Sequence, residues 1–373
     1  MAADAAMGTG DSPIRVAVMG AGGLGKAAAN IIGMKRELSL RAICDSKGLV
    51  ASADGLDCAA IAAVEGDLVE GYRRTGPSPA LSDIGRAQDR WSPTSVGDQR
   101  RAAVTMTVPV EVEHHSDPIG AIIERTDAYD AVLVALPNLP NEFIPGVIER
   151  FTRAQRSLVF VDVLKRTRAV EQMFALDPLV RQAHGVVLTG CGATPGLLAA
   201  AAVLAAQSFI EVERVEIWWG VGMANWEAHR ATIREDIAHL PGYSVERAKA
   251  MSDAEVDALL EQTEGLLQLR HMEHADDLLL QRVGVVEHVD QVEVGGVMDT
   301  RHAKKPVSTT MTLTGLTYEG KRSSHKFILG DETTMAANVI GPALGYLKRG
   351  MWLKSHGHFG VFGCTEMLPM VVR

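Results

Sequence analysis

Four cysteines, Cys44, Cys58, Cys191 and Cys364, are scattered over the chain, and no two stand in CxxC or zinc-ligand spacing. That scarcity argues against a disulfide framework and for a reducing cytoplasm. Cys191 lies among glycines with no activating base beside it in sequence, and is expected to be a buried, inert thiol rather than a lining of the site. No stretch of eighteen uninterrupted apolar residues occurs, so no membrane-spanning helix is expected. No basic block is long enough to act as a phosphate-binding arm. With a net charge of −9, neither nucleic acid nor an anionic membrane is an expected partner. Residues 1–12 lack a positive n-region and an apolar h-region, and are expected to form a loose tail rather than a signal peptide. The twelve histidines form no metal motif. His271-Met-Glu-His274 has neither the spacing nor the order of a zinc-hydrolase helix, and His114-His115 and His356-Gly-His358 fall in expected loops, so no metal site is expected.

What is present is concentrated near the start. The β-branched run Ile14–Met19 is followed by Gly20-Ala21-Gly22-Gly23-Leu24-Gly25, an Ala-rich helix from Lys26 to Met34, and a second strand, Leu40–Cys44, ending at Asp45. Strand, glycine turn, helix, strand and acid in that order form the dinucleotide-binding fingerprint. Gly20 makes the tight turn, Gly22 admits a pyrophosphate, and Gly25 lets the helix approach the sheet. Gly23, Leu24 and Gly25 complete the expected cofactor-binding turn, and the free N–H groups at the N-terminus of the helix that follows favour negative charge. The expected cofactor is therefore NAD or NADP. Asp45 suits the ribose hydroxyls of NAD, whereas Ser46 and Lys47 suit the 2′-phosphate of NADP.

Strands and helices then alternate. Residues 72–103, with Gly76-Pro-Ser-Pro79 and Trp91-Ser-Pro-Thr-Ser95, are expected to be an irregular insertion. A helix is expected within Gly55–Val69, a strand at Ala103–Val110 and a helix from Ser116 to Arg125. Asp130–Leu136 is a continuous apolar run, as a parallel strand buried on both faces requires. Leu136, Pro137 and Asn138 close it, at the strand end where ligands of doubly wound sheets lie. A helix over Asn141–Gln155, a strand at Leu158–Val163, a helix over Thr167–Gln182 and a strand at Val186–Thr189 follow. The expected class is α/β: a Rossmann doubly wound parallel sheet over 13–190, and an α+β substrate domain with a mostly antiparallel sheet over 191–330. Residues 331–373 are expected to return to the first domain. In the second, the alternating run Val212–Trp219 reads as a strand, Asn225–Leu240 and Ser244–Leu267 as helices, and Val283–Val286, Gln291–Val297 and Ser308–Tyr318 as strands. Ser252-Asp-Ala-Glu255 has capping-box spacing, and Thr333–Leu347 is helical with a kink at Gly341-Pro342.

Gly20–Gly25, Val134-Ala-Leu-Pro137, Val161-Asp162 and Gly190-Cys-Gly-Ala-Thr-Pro-Gly-Leu197 together resemble the saccharopine dehydrogenase-like oxidoreductases. The resemblance implies a two-domain plan and an NAD(P)-dependent enzyme acting on a CH–NH group, condensing an amine with an aldehyde or oxo acid in amino-acid or polyamine metabolism. Alternatives are a CH–OH dehydrogenase of homoserine dehydrogenase type and a non-catalytic nucleotide sensor. Lys165 and Asp162, at the carboxyl end of a strand, are candidate proton-relay groups; a solvated turn capped by Asp162 is the plainer reading. Trp226, Arg230 and Arg234 fall on one helix face, where two guanidiniums can grip a substrate carboxylate or simply pair with Glu227, Glu235 and Asp236. Trp218 and Trp219 point to opposite faces of a strand, one to the core and one towards a pocket. A small amine or carboxylate substrate and a homodimer complete the expectations.

Overall fold

The computed structural model describes residues 12–75, 110–137, 139–223, 230–330 and 334–373, with backbone alone at 230–232 and 335. The chain divides into two compact units, Met1–Asn138 with Arg373, and Leu139–Val372. The division thus falls at 138, earlier than position 190. The expected strand at 103–110, nearly all of the insertion, the start of the Asn225 helix, Asn138 and Trp226 lie outside the described residues.

In the first unit β1 (Ile14–Met19), α1 (Gly23–Gly33) and β2 (Leu38–Cys44) form the expected βαβ unit. β1 pairs parallel with β2 on one side and with β5 (Ala131–Val134) on the other. β5, and β1 from Val16 onward, are apolar because both faces are covered: Val16, Ala17, Val18, Val132 and Leu133 are each 0 % exposed. Beyond β2 the chain departs from expectation. β3 (Gly48–Ala51) turns straight back antiparallel to β2, and β4 (Glu111–His114) pairs antiparallel with β3. The Gly55–Val69 stretch holds the short α2 (Cys58–Ala62), and α3 (Leu68–Thr75) begins at its end. Asp117 caps α4 (Pro118–Glu124), accepting from Gly120 N at 3.1 Å.

The second unit opens with α5 (Phe143–Arg153) and β6 (Val159–Asp162). The expected single helix after β6 is two, α6 (Thr167–Ala175) and α7 (Asp177–Gln182), with Pro178 in the first turn of α7, where its missing N–H leaves no helical bond unmade. β7 (Val186–Thr189) runs parallel to β6. After α8 (Leu197–Ala206) comes β8 (Phe209–Gly222), the spine of a second sheet.

The long connection that follows carries α9 (Arg230–Ile237), α10 (Val245–Ala250), α11 (Asp253–Gln262), β9 (Leu266–Leu269) and α12 (Asp276–Arg282). The Ser244–Leu267 stretch is therefore not one helix. Met251 is extended, and the Ser252/Glu255 capping box starts a fresh helix. β10 (Val292–Asp299), β11 (Thr310–Thr317) and β12 (Arg322–Ile328) complete the sheet in the order β12-β11-β8-β10-β9. β8 and β10 are parallel; every other pairing is antiparallel. Val285 and Val286 are buried but form no strand. Gly295 and Gly296 sit opposite Trp218 and Trp219, and a Cβ on either glycine would stand within 2.8 Å of an indole ring. Trp219 is core at 8 % exposure, and Arg270 lies over Trp218 at 5.1 Å. α13 (Met335–Ser355) continues through Pro342, and β13 (Gly360–Gly363) pairs parallel with β7.

Candidate functional site

The glycine turn of the first unit is shaped by contact at two positions and by openness at two others. Gly20 has φ +107° and its virtual Cβ would meet Ala135 O at 2.4 Å, so only glycine fits where β1 passes β5. A Cβ on Gly25 would lie 1.7 Å from Gly20 O, so α1 packs against its own turn. Gly22 and Gly23, in contrast, have nothing within 4 Å of a virtual Cβ. No side chain caps α1 at Gly22, which leaves the first N–H groups facing that open space. A bare backbone concavity at a helix N-terminus, with no Cβ in it, fits the pyrophosphate of a dinucleotide.

Asp45 is more committed than its spacing suggested. Its Oδ1 accepts from Lys47 N at 2.8 Å and Gly48 N at 3.0 Å, closing the turn into β3, and Oδ2 accepts from Leu68 N at 3.4 Å. The Lys47 ammonium pairs with Asp67 at 3.2 Å. Ser46 lies in that turn and is exposed; Leu136 is half-buried and Pro137 exposed after β5.

The second unit holds a cluster of ionisable groups around the turn Gly190-Cys-Gly-Ala-Thr-Pro-Gly196. Asp162, at the carboxyl end of β6, is 1 % exposed. Its Oδ1 accepts from Gly190 N at 2.9 Å, Leu164 N at 3.0 Å and Thr189 Oγ1 at 3.1 Å, while Oδ2 is buried with no partner. Burial outweighs those donors and pushes the carboxyl up to about 6. Asp276, at the start of α12, is 0 % exposed and grips the other end of the turn, where Oδ2 accepts from Thr194 Oγ1 at 2.8 Å. The same oxygen lies 2.6 Å from Nδ1 of His274, and Oδ1 is buried without a partner. Cys191 and Cys364 are buried, which pushes both thiols far up and leaves them unreactive.

Lys165 is tied to this cluster through its backbone, its carbonyl accepting from Ala275 N at 2.7 Å. Its charge acts on two neighbours from the α9 region. Asp236, 3 % exposed, is pushed up to about 6 by burial against the pull of Lys165 and His274. His239 is held down by burial and by Lys165. Arg166 Nη1 donates to Leu139 O at 3.1 Å, and the guanidinium also pairs with Glu235. Lys165 and Asp162 thus belong to one site neighbourhood, to which sequence reasoning added no other member. Arg234 is not free for a ligand: its guanidinium donates to Met251 O and Asp253, joining α9 to the helices after it. The Arg230 side chain lies outside the described residues. His274, set aside with the rejected metal motif, and Asp276, which no motif singled out, are the residues that reading missed. Their i, i+2 spacing carries no signal until α12 is placed. Among the described residues no group of His, Cys, Asp and Glu is arranged to hold a metal, and no helix is long and apolar enough to cross a membrane.

Fold and turn define a two-unit α/β protein with a Rossmann-like sheet. An engineered D-amino acid dehydrogenase solved with NADP+ matches with a TM-score of 0.50 over 95 % of this chain and 94 % of that one, at 16 % identity. A second structure of an engineered D-amino acid dehydrogenase matches with a TM-score of 0.50 over 95 % of both chains, at 17 % identity. At that distance the likeness is one of fold. No protein-family model matches. In sequence, the chain is 43 % identical over 358 residues to the (S)-8-amino-7-oxononanoate synthase BioU of Haloferax mediterranei, covering 95 % of this chain and 99 % of that protein. The chain belongs to the BioU family. This overturns the resemblance to the saccharopine dehydrogenase-like oxidoreductases and, with it, the reading as a CH–NH oxidoreductase of amino-acid or polyamine metabolism. The motifs that carried the resemblance are short turns and strand ends, which unrelated families on this fold share.

Proposed function

We propose that this chain is an (S)-8-amino-7-oxononanoate synthase and that its glycine turn holds a nicotinamide dinucleotide. The 43 % identity across 95 % of the chain carries the first part. The open backbone at Gly22 and Gly23 supports the second. The named molecule places an ammonium and a ketone on neighbouring carbons, with a carboxylate at the far end of an apolar chain. Around Lys165 the second unit offers both signs of charge, with Asp236 and Asp162 as buried acids and the imidazoles of His239 and His274 as hydrogen-bonding groups. The nicotinamide ring, when bound, supplies a centre that gives or takes a hydride. Gly20, Gly22, Gly23, Leu24 and Gly25 would hold its pyrophosphate, and Asp45 the adenosine ribose.

Calorimetric titration with NADH, NADPH and the two stereoisomers of 8-amino-7-oxononanoate tests this reading, together with mass-spectrometric detection of the (S) compound. Expected are binding of a dinucleotide and preference for the (S) isomer. Failure of both isomers to bind in the presence of the dinucleotide would overturn the synthase reading; failure of both dinucleotides would overturn the cofactor reading.

A further inference from the structure

His274 and Asp276 are a buried pair that neither the fold nor the glycine turn requires. His274 is 4 % exposed and Asp276 0 %. An ionised carboxylate only accepts hydrogen bonds. At 2.6 Å from Asp276 Oδ2, Nδ1 of His274 is therefore the donor of the pair, and in the tautomer that carries its proton there Nε2 is the acceptor. The Asp276 carboxylate is itself fixed, since Thr194 Oγ1 donates to it at 2.8 Å from the turn before α8. Its remaining oxygen, Oδ1, is buried and unpartnered, so half of the carboxylate's acceptor capacity is left idle. Packing alone would favour an apolar residue over a half-satisfied carboxylate, which suggests that the acid is there for its effect on the imidazole. Between the pair, Ala275 N donates to the carbonyl of Lys165 at 2.7 Å, locking the dyad to the lysine-bearing strand end. The charged groups acting on the pair are Asp236 from α9 and Asp277 from α12.

We propose that Asp276 is a positioning residue that fixes the Nδ1–H tautomer and ring orientation of His274, so that Nε2 serves as the proton acceptor of the second-unit site. The role of Nε2 in turnover rests on the synthase reading above; the hold of Asp276 on the ring does not. Where an acid orients a histidine in this way, replacing it by the amide leaves the shape intact but no longer imposes the tautomer.

The test pairs Asp276→Asn with His274→Gln. Nitrogen-15 NMR of the histidine rings should show the Nδ1–H form of His274 in the natural protein and a growing share of Nε2–H in D276N. The rate of product formation should fall about 100-fold or more in both variants, with dinucleotide affinity kept within about threefold. An unchanged tautomer in D276N would overturn the positioning role. If D276N fails to fold, H274Q forming product within about threefold of the natural rate would sink the assignment of Nε2. If the natural protein neither makes nor binds (S)-8-amino-7-oxononanoate, the synthase reading has failed instead, and the tautomer alone still decides whether Asp276 sets the ring.

Discussion

A Cβ on Gly25 would stand 1.7 Å from the carbonyl oxygen of Gly20, five residues earlier in the same turn. The obstacle is backbone on both sides, so no side-chain rotation relieves it. Gly25→Ala should therefore destabilise the protein by about 2–4 kcal/mol and abolish dinucleotide binding together with it. Gly22→Ala is the contrast. Its Cβ meets nothing within 4 Å, so stability should stay within about 0.5 kcal/mol while dinucleotide affinity drops at least about tenfold. Thermal melts with and without NADH separate the two effects. Equal affinity in G22A and the natural protein would remove the pyrophosphate from this turn.

Asp162 and Asp236 make stability depend on pH with a definite sign. Each folded carboxyl is pushed up to about 6 from an ordinary value of 3.8, so between those values the folded chain keeps protons the unfolded chain has lost. Stability should fall as pH rises through that window and level off above it. Asp162→Asn retains an oxygen for Gly190 N, Leu164 N and Thr189 Oγ1 while removing the ionisation. The decline between pH 4 and 7 should shrink by on the order of 1–3 kcal/mol in D162N. Urea melts at a series of pH values would show an unchanged slope if the buried acid does not titrate there.

Lys165 acts on its neighbours through charge. It holds the Asp236 carboxyl down against burial and holds the His239 imidazole down with burial. In Lys165→Met the Asp236 carboxyl should titrate above about 6 and His239 should move up towards the usual imidazole range. Carbon-13 and proton NMR titrations follow both groups. If neither moves, the ammonium is not in electrostatic contact with them.

Cofactor preference should follow the second-strand acid. With Lys47 paired to Asp67, the Asp45 carboxylate dominates the end of β2, and a 2′-phosphate there meets negative charge. NADH should bind severalfold more tightly than NADPH, and Asp45→Asn should narrow that ratio, because the amide can still receive Lys47 N and Gly48 N. Tighter binding of NADPH by the natural protein would assign the site to Ser46 and Lys47 instead.

The first βαβ unit was legible because its signals are local: alternating burial is absent in β1, the glycines follow at once, and the acid ends β2. β3 was missed for the opposite reason. Gly48–Ala51 is four residues long and begins within a turn that the Asp45 carboxylate closes through space. β12 was missed because all seven of its residues are exposed, so no apolar period marks it. The break at Met251 has no Gly or Pro, and only the capping box after it announced a new helix. Asp162 and Lys165 could be found from their place at a strand end. His274, Asp276 and Asp236 could not, because their meaning comes from tertiary packing around the Gly190–Gly196 turn. The family was likewise out of reach of short motifs, since the turn that binds a dinucleotide says nothing about what is done with it.

β8 and β10 lie side by side and run the same way. Two such strands cannot be joined by a hairpin, so the chain must travel back the full length of the sheet before re-entering it. Among the described residues of that return, β9 is the one strand that joins the sheet. It is there that Asp236, His239, His274 and Asp276 are found, between Gly222 and Val292. One strand's direction thus obliges the molecule to own a long detour, and the detour is where it keeps these two buried acids and two histidines. A shortened version of this protein with β10 reversed could keep a similar sheet and core, and would have nowhere to put them.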